Sequence, residues 1–218
     1  KKKKQKKEDL EALYDVIKDT NIIIISDEIY SELTYGENPH TPVASLDCLY
    51  ERTITINGFS KAFSMTGWRL GFLAGPKEIV QHIFKIHQYA IMCSPTVSQF
   101  AAITALRECR ADVDNMVSEY DMRRKLIVKG FNEMGLECFE PFGAFYVFPC
   151  IKEFGMTSDE FAMRFLEEEK VAVVPGTAFG DCGEGFLRIS YAYSLENLKM
   201  AMERLSRFVK KLREEKNQ

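Results

Sequence analysis

The sequence predicts an α/β layer protein that ends in a smaller α+β unit, and three observations carry that prediction. "NIIIIS" contains a continuous aliphatic run, Ile22 to Ile25, of the kind expected for a strand covered by helices on both faces. From Leu10 to about Phe131, helix-period and strand-period segments alternate, the pattern of a layered sheet. Beyond Gly135 the pattern changes to short strands set among two amphipathic helices.

The elements follow in order. Leu10, Leu13, Val16 and Ile17 give a helical stripe between Glu8 and Lys18. After the Ile22–Ile25 strand, the alternating "TITIN" (Thr53 to Asn57) reads as a second strand and "RLGFLAG" (Arg69 to Gly75) as a third. Pro76 opens a helix that runs to about Tyr89, and Pro95 opens another. Val113, Met116, Val117 and Tyr120 fall at i, i+3, i+4 and i+7, which predicts one long helix to about Phe131. In the last part, "GAFYVFP", "VAVVPG" and "FLRISYAY" read as strands. "TSDE" (Thr157 to Glu160) is a capping box that starts a helix to about Lys170. A closing helix aligns Leu198, Met202, Leu205, Val209 and Leu212. The expected domains are 9–130 and 131–218, with residues 1–8 a basic tail or truncation scar. No internal repeat is present.

Composition narrows the function classes. Across 218 residues the net charge is −3, which argues against nucleic acid as a main partner. No apolar run has the length of a membrane span, and no signal peptide opens the chain, so no membrane partner is expected. The opening "KKKKQKK" reads either as an electrostatic tail or as a solvated helix end without aromatic or amphipathic company. Six scattered cysteines contain no Cys-x-x-Cys pair, and a core of this size does not need disulfide staples. His40, His82 and His87 form no metal-ligand spacing, so no metal site is expected. A reducing, cytoplasmic setting fits this cysteine usage.

The chemistry concentrates in "NGFSKAFSMTGWRLG", residues 57–71. Small residues around Lys61 allow its amine to be enclosed, and a desolvated lysine loses its proton more readily and becomes a nucleophile for aldehydes. Arg69, eight residues on and beyond Gly67, can offer a bidentate fork to a phosphate. A lysine–aldehyde linkage with a phosphate anchor is what pyridoxal 5'-phosphate requires. Asp27 in "SDEIY" stands at the carboxyl end of the first strand, where open α/β sheets bind ligands. A carboxylate there can pair with the pyridine nitrogen and make the ring an electron sink. Tyr30 can donate to the ring's phenolic oxygen. Asp27 and Lys61 follow successive strands and can therefore meet.

"SDEIYSELTYG" with "NGFSKAFSMTGWRLGFLAGP" resembles the class I/II aminotransferases of the fold type I PLP enzymes, nearest the aspartate/aromatic branch. "GAFYVFP" and "FLRISYAYS" resemble that family's small domain, so the likeness runs from about residue 9 to the C-terminus. The resemblance implies part of a mainly parallel, three-layer large domain plus the small α+β domain. It implies Lys61 as Schiff-base lysine, Asp27 on the pyridine nitrogen, Tyr30 on the ring oxygen, Arg69 on the phosphate and Arg188 of "LRIS" on the substrate α-carboxylate. Ser60 reaches the phosphate or supplies only small size. Gly58 stands where relatives carry a phosphate-binding serine. Plainer roles stay open: Asp27 as a cap, Arg69 or Arg188 as an ion-pair partner, and Trp68 and "FGAFYVF" as core or pocket wall rather than stacking groups.

Full-length members are nearly twice as long, so the resemblance reads this chain as a C-terminal half. The phosphate-cradling Gly/Ser loop, the ring-stacking aromatic and an asparagine beside the ring oxygen are expected in the other half. The implied substrates are an amino acid and a 2-oxo acid, and the implied assembly is a homodimer at full length. A β-lyase or decarboxylase of the same fold is an alternative, as is a PLP-binding regulatory module to which "KKKKQKK" belongs.

Overall fold

The computed structural model describes residues 7–36 and 39–217. The basic run expected as a tail lies almost wholly outside the described residues. The chain divides into two compact units between Val117 and Ser118, inside a single helix, whereas the sequence places the boundary further along that helix.

The first unit opens with α1 (Lys7–Ile17) and β1 (Ile24–Asp27). A short α2 (Asp47–Tyr50) leads to β2 (Thr53–Gly58), and a single turn, α3 (Phe59–Ala62), follows it at once. Then come β3 (Gly71–Ala74), α4 (Lys77–Ala90), α5 (Thr96–Glu108) and the start of α6 (Arg110–Glu133). Pro76 and Pro95 sit at the caps of α4 and α5, where a missing N–H costs no hydrogen bond. The sheet order is β1-β2-β3, with β1 parallel to β2 and β3 antiparallel to it.

Two small cores hold this unit. Leu10 and Ile17 of α1 pack with Val43, Leu46 and Leu49, and the partly buried Ile24 joins them. Phe59 and Met65 pack with Ala102 and Ala105 of α5. The Arg52 guanidinium donates to the Ile17 and Thr20 carbonyls at 2.8 and 3.3 Å, satisfying the open end of α1.

Three expectations are corrected here. The predicted Ile22–Ile25 strand runs instead over Ile24–Asp27 and is not covered on both faces, since Ile22, Ile23 and Ile25 are exposed, Ile25 at 68%. The α1 stripe is buried only at Leu10 and Ile17, and Val16 faces out. β3 is exposed along its length, and none of the apolar side chains of α4 is buried, with Phe84, Ile86 and Tyr89 exposed. These apolar segments are not covered by the described residues of this chain.

The second unit contains the rest of α6, then β4 (Tyr146–Val147), α7 (Ser158–Glu169), β5 (Val174–Pro175), β6 (Leu187–Ser190) and α8 (Leu195–Lys216). The sheet order is β4-β6-β5, all antiparallel neighbours. Its strands are shorter than "GAFYVFP" and "VAVVPG" suggest, with isolated bridges at Cys138–Pro149 and Cys150–Phe186 extending the pairing. Phe161 and Phe165 of α7 meet Phe208 of α8 with ring centroids 5.1 and 5.2 Å apart. Leu198, Leu205, Val209 and Leu212 continue that buried face. The capping box forms as predicted: Thr157 Oγ1 accepts from the Glu160 N–H, and the Glu160 carboxylate accepts from the Thr157 N–H.

All six cysteines are free thiols. Among the described residues, no helix is long and apolar enough to cross a membrane.

Candidate active site

The strand registers gather the predicted cofactor residues of the first unit at one sheet edge. Asp27 ends β1, and in register it faces Ile56 of the parallel β2, whose last residue is Gly58. Gly58 in turn pairs with Gly71, the first residue of the antiparallel β3. The carboxyl ends of β1 and β2 and the start of β3 therefore share an edge, the usual ligand edge of an α/β sheet. Close backbone approach explains the glycines: a Cβ on Gly58 would lie 3.0 Å from the Gly71 Cα and from the Leu70 carbonyl oxygen. A Cβ at Gly58 is thus tightly opposed by the backbone of Leu70 and Gly71.

Lys61 lies in α3, the one-turn helix immediately after β2, and not on an open loop. Phe59 and Ala62 of the same turn are buried, which fixes the turn and leaves Lys61 half-buried. Its Nζ sits 5.9 Å from the centre of the Tyr30 ring, a cation–π distance that joins two of the predicted residues directly. Asp27 is exposed, and one carboxylate oxygen accepts from the Ile29 N–H at 3.2 Å. That bond caps the local turn.

Arg69 adopts a left-handed backbone, φ +52°, just after the 3₁₀ turn Thr66–Trp68. Its guanidinium donates to the Thr66 carbonyl at 2.9 Å. Among the described residues it makes no ion pair. Ser60 is half-buried, and its carbonyl accepts from the Thr66 hydroxyl at 3.1 Å, which ties the lysine turn to the arginine turn. Trp68 is partly exposed, and its carbonyl accepts from Ser98 Oγ at 2.7 Å.

Two supporting residues escaped the sequence reading. Glu28, next to Asp27, is buried at 5% and accepts from Ser26 Oγ and the Val43 N–H at 3.0 Å each. His40 Nε2 is also 3.0 Å from it. Asn57 donates to Ser31 Oγ at 3.1 Å while its side-chain oxygen accepts from the Gly58 N–H at 2.7 Å. Together they lash the loop after Asp27 to the end of β2. The available signal was a second carboxylate directly after Asp27 in "DEIY" and an asparagine ending an alternating strand.

Arg188 belongs to the second unit. It lies on β6 between β4 and β5, half-buried, and its Cζ is 4.6 Å from the centre of the Tyr146 ring and 4.3 Å from that of Phe179. No carboxylate among the described residues pairs with it. Tyr146, within the "FGAFYVF" segment read as core or pocket wall, thus stands against the Arg188 guanidinium.

The sequence of residues 4–205 matches the family described as aminotransferase class I and II, and the chain belongs to it. An aspartate aminotransferase of Pyrococcus abyssi is 52% identical across 97% of this chain and 54% of its own length. An aromatic-amino-acid aminotransferase of Thermococcus litoralis is 48% identical across 94% of this chain and 53% of its own. Among solved structures, an aromatic aminotransferase from Pyrococcus horikoshii superposes with a TM-score of 0.91 at 50% identity, covering 94% of this chain. The chain spans about half the length of the curated relatives it matches. Their names are those of transaminases, so the lyase and regulatory alternatives are not favoured.

Proposed function

We propose that this chain carries the cofactor lysine and carboxylate anchor of a PLP-dependent aminotransferase that moves an amino group between an amino acid and a 2-oxo acid. The observation that carries the reading is the convergence of Asp27, Tyr30, Lys61 and Arg69 at one sheet edge in a chain of this family. The donor set fits the cofactor: a half-buried amine, an exposed carboxylate and a guanidinium without an ion pair among the described residues.

When bound, pyridoxal phosphate supplies an aldehyde for a lysine amine and a ring that accepts electron density from the substrate's α-carbon. In this reading Lys61 Nζ would hold the cofactor and would take up and return the substrate's α-proton. Asp27 would pair with the ring nitrogen and Tyr30 would donate to the ring oxygen. Arg69, and with it Ser60, would hold the phosphate. Arg188 would take the substrate α-carboxylate through its in-plane N–H groups. We place the whole protein in the cytoplasm as a homodimer, on family likeness and the free thiols.

The test treats the chain with PLP and reduces it with borohydride, which locks any lysine–aldehyde linkage, and then maps the labelled peptide by mass. Label on Lys61 that Lys61→Ala removes is the expected result. Label spread evenly over surface lysines, unchanged in that variant, sinks the assignment.

A further inference from the structure

We infer that Tyr146 and Phe179 are positioning residues that hold the Arg188 guanidinium in one plane for a carboxylate ligand. The inference rests on the carboxylate role proposed for Arg188 and goes beyond it, because it names what aims the arginine.

The strand registers put the parts in place. Tyr146 pairs with Ser190 across β4 and β6, so Tyr146, Ser190 and Arg188 share one face of the sheet, and Tyr146 is the diagonal neighbour of Arg188. Val147 pairs with Ile189 on the other face and is fully buried, which prevents β4 from slipping by a residue. Phe179 arrives from the opposite side of the chain path, at the end of the 3₁₀ turn Gly176–Phe179 that follows β5. That turn is fixed by close approach: a Cβ on Gly176 would lie 2.0 Å from the Gly183 carbonyl oxygen.

Each ring is itself braced. Phe145 lies 4.8 Å from Tyr146 and 5.5 Å from Tyr120 between ring centroids. Phe148 meets Phe179 edge-on at 5.8 Å. Two aromatic chains thus end on one guanidinium, at 4.6 and 4.3 Å.

The chemistry follows from the shape of arginine. Rings over a guanidinium cover its faces and leave its N–H edge, the part that forks onto a carboxylate. Elsewhere in this unit arginines are aimed by carboxylates: Arg164 by Glu168 and Glu215, Arg213 by Glu153. A carboxylate beside Arg188 would compete with an incoming carboxylate, whereas an aromatic ring orients the fork without occupying it. A side chain already held in its bound rotamer gives up less freedom on binding, so the gain appears in affinity.

The test reads Arg188 in the 218-residue chain through its Nε–Hε NMR resonance, assigned with Arg188→Lys and titrated with maleate as the carboxylate probe. In the parent, ring currents displace the resonance and maleate moves it saturably. Tyr146→Phe and Phe179→Tyr keep both properties, with half-saturation within about twofold. Tyr146→Leu and Phe179→Leu lose the ring-current displacement, and half-saturation rises about threefold or more. Phe179 is 48% exposed and Tyr146 half-buried, so the leucine variants leave the core intact. Parent-like half-saturation in both leucine variants overturns the inference while leaving the carboxylate role standing. A parent resonance that maleate does not move overturns that role, and the inference with it.

Discussion

Glu28 makes a stronger demand on the fold than its exposed neighbour Asp27. A carboxylate exposed at 5% persists because three groups face it: Ser26 Oγ, the Val43 N–H and His40 Nε2. Glu28→Ala leaves the buried Val43 N–H without its acceptor, and urea denaturation should register a loss of about 1–3 kcal/mol. The loop holding Asp27 loosens with it, so PLP labelling at Lys61 should slow in the same variant. A second expectation concerns a thiol. Burial pushes Cys138 up to about 12, so almost no thiolate forms near neutral pH. The exposed Cys48, Cys93 and Cys182 should react with a thiol reagent at pH 8 faster than the partly buried Cys138. Equal rates for all four would contradict this burial.

Among the elements, α7 offers the cleanest test because one capping box starts it. Thr157→Ala should cost about 1 kcal/mol of stability, read from the shift of the denaturation midpoint. The Thr157 N–H and hydroxyl hold the Glu160 carboxyl below the ordinary carboxylate range. A carboxyl with a lowered folded pKa contributes fully above its unfolded value and loses that contribution as pH falls through the folded one. The difference between parent and Thr157→Ala should therefore narrow in strong acid and be constant near neutrality. Helices of this kind were legible in the sequence, since caps and 3.6-residue stripes are local signals. The strand ends that carry "SDEIY" and "NGFSKAF" were legible too, although the first strand lies two residues further along than its aliphatic run. Two things were not. Strand lengths in the second unit depend on pairing across the fold, so "VAVVPG" yields only Val174–Pro175. The rings over Arg188 come from positions 146 and 179, and no local pattern links residues that far apart.

At the scale of the whole molecule, uncovered apolar surface dominates behaviour. Ile25 at 68%, Tyr89 at 95% and their exposed neighbours on β1, β3 and α4 form more than scattered surface hydrophobics, and the outer edges of β1 and β3 pair with no strand among the described residues. The chain should self-associate with rising concentration, as light scattering will record. Co-expression with the N-terminal half of the Pyrococcus abyssi relative should suppress that association. Monodisperse chain at high concentration, without any added half, would refute the account. One feature of the division itself constrains the design of such hybrids. The boundary between the two units falls inside α6, between Val117 and Ser118. A splice made there interrupts a run of backbone bonds from each N–H to the carbonyl four residues earlier, whereas a splice in the turn after Glu133 leaves the helix whole. Grafts between relatives are therefore better joined after Glu133, where a mismatched residue breaks no helical ladder.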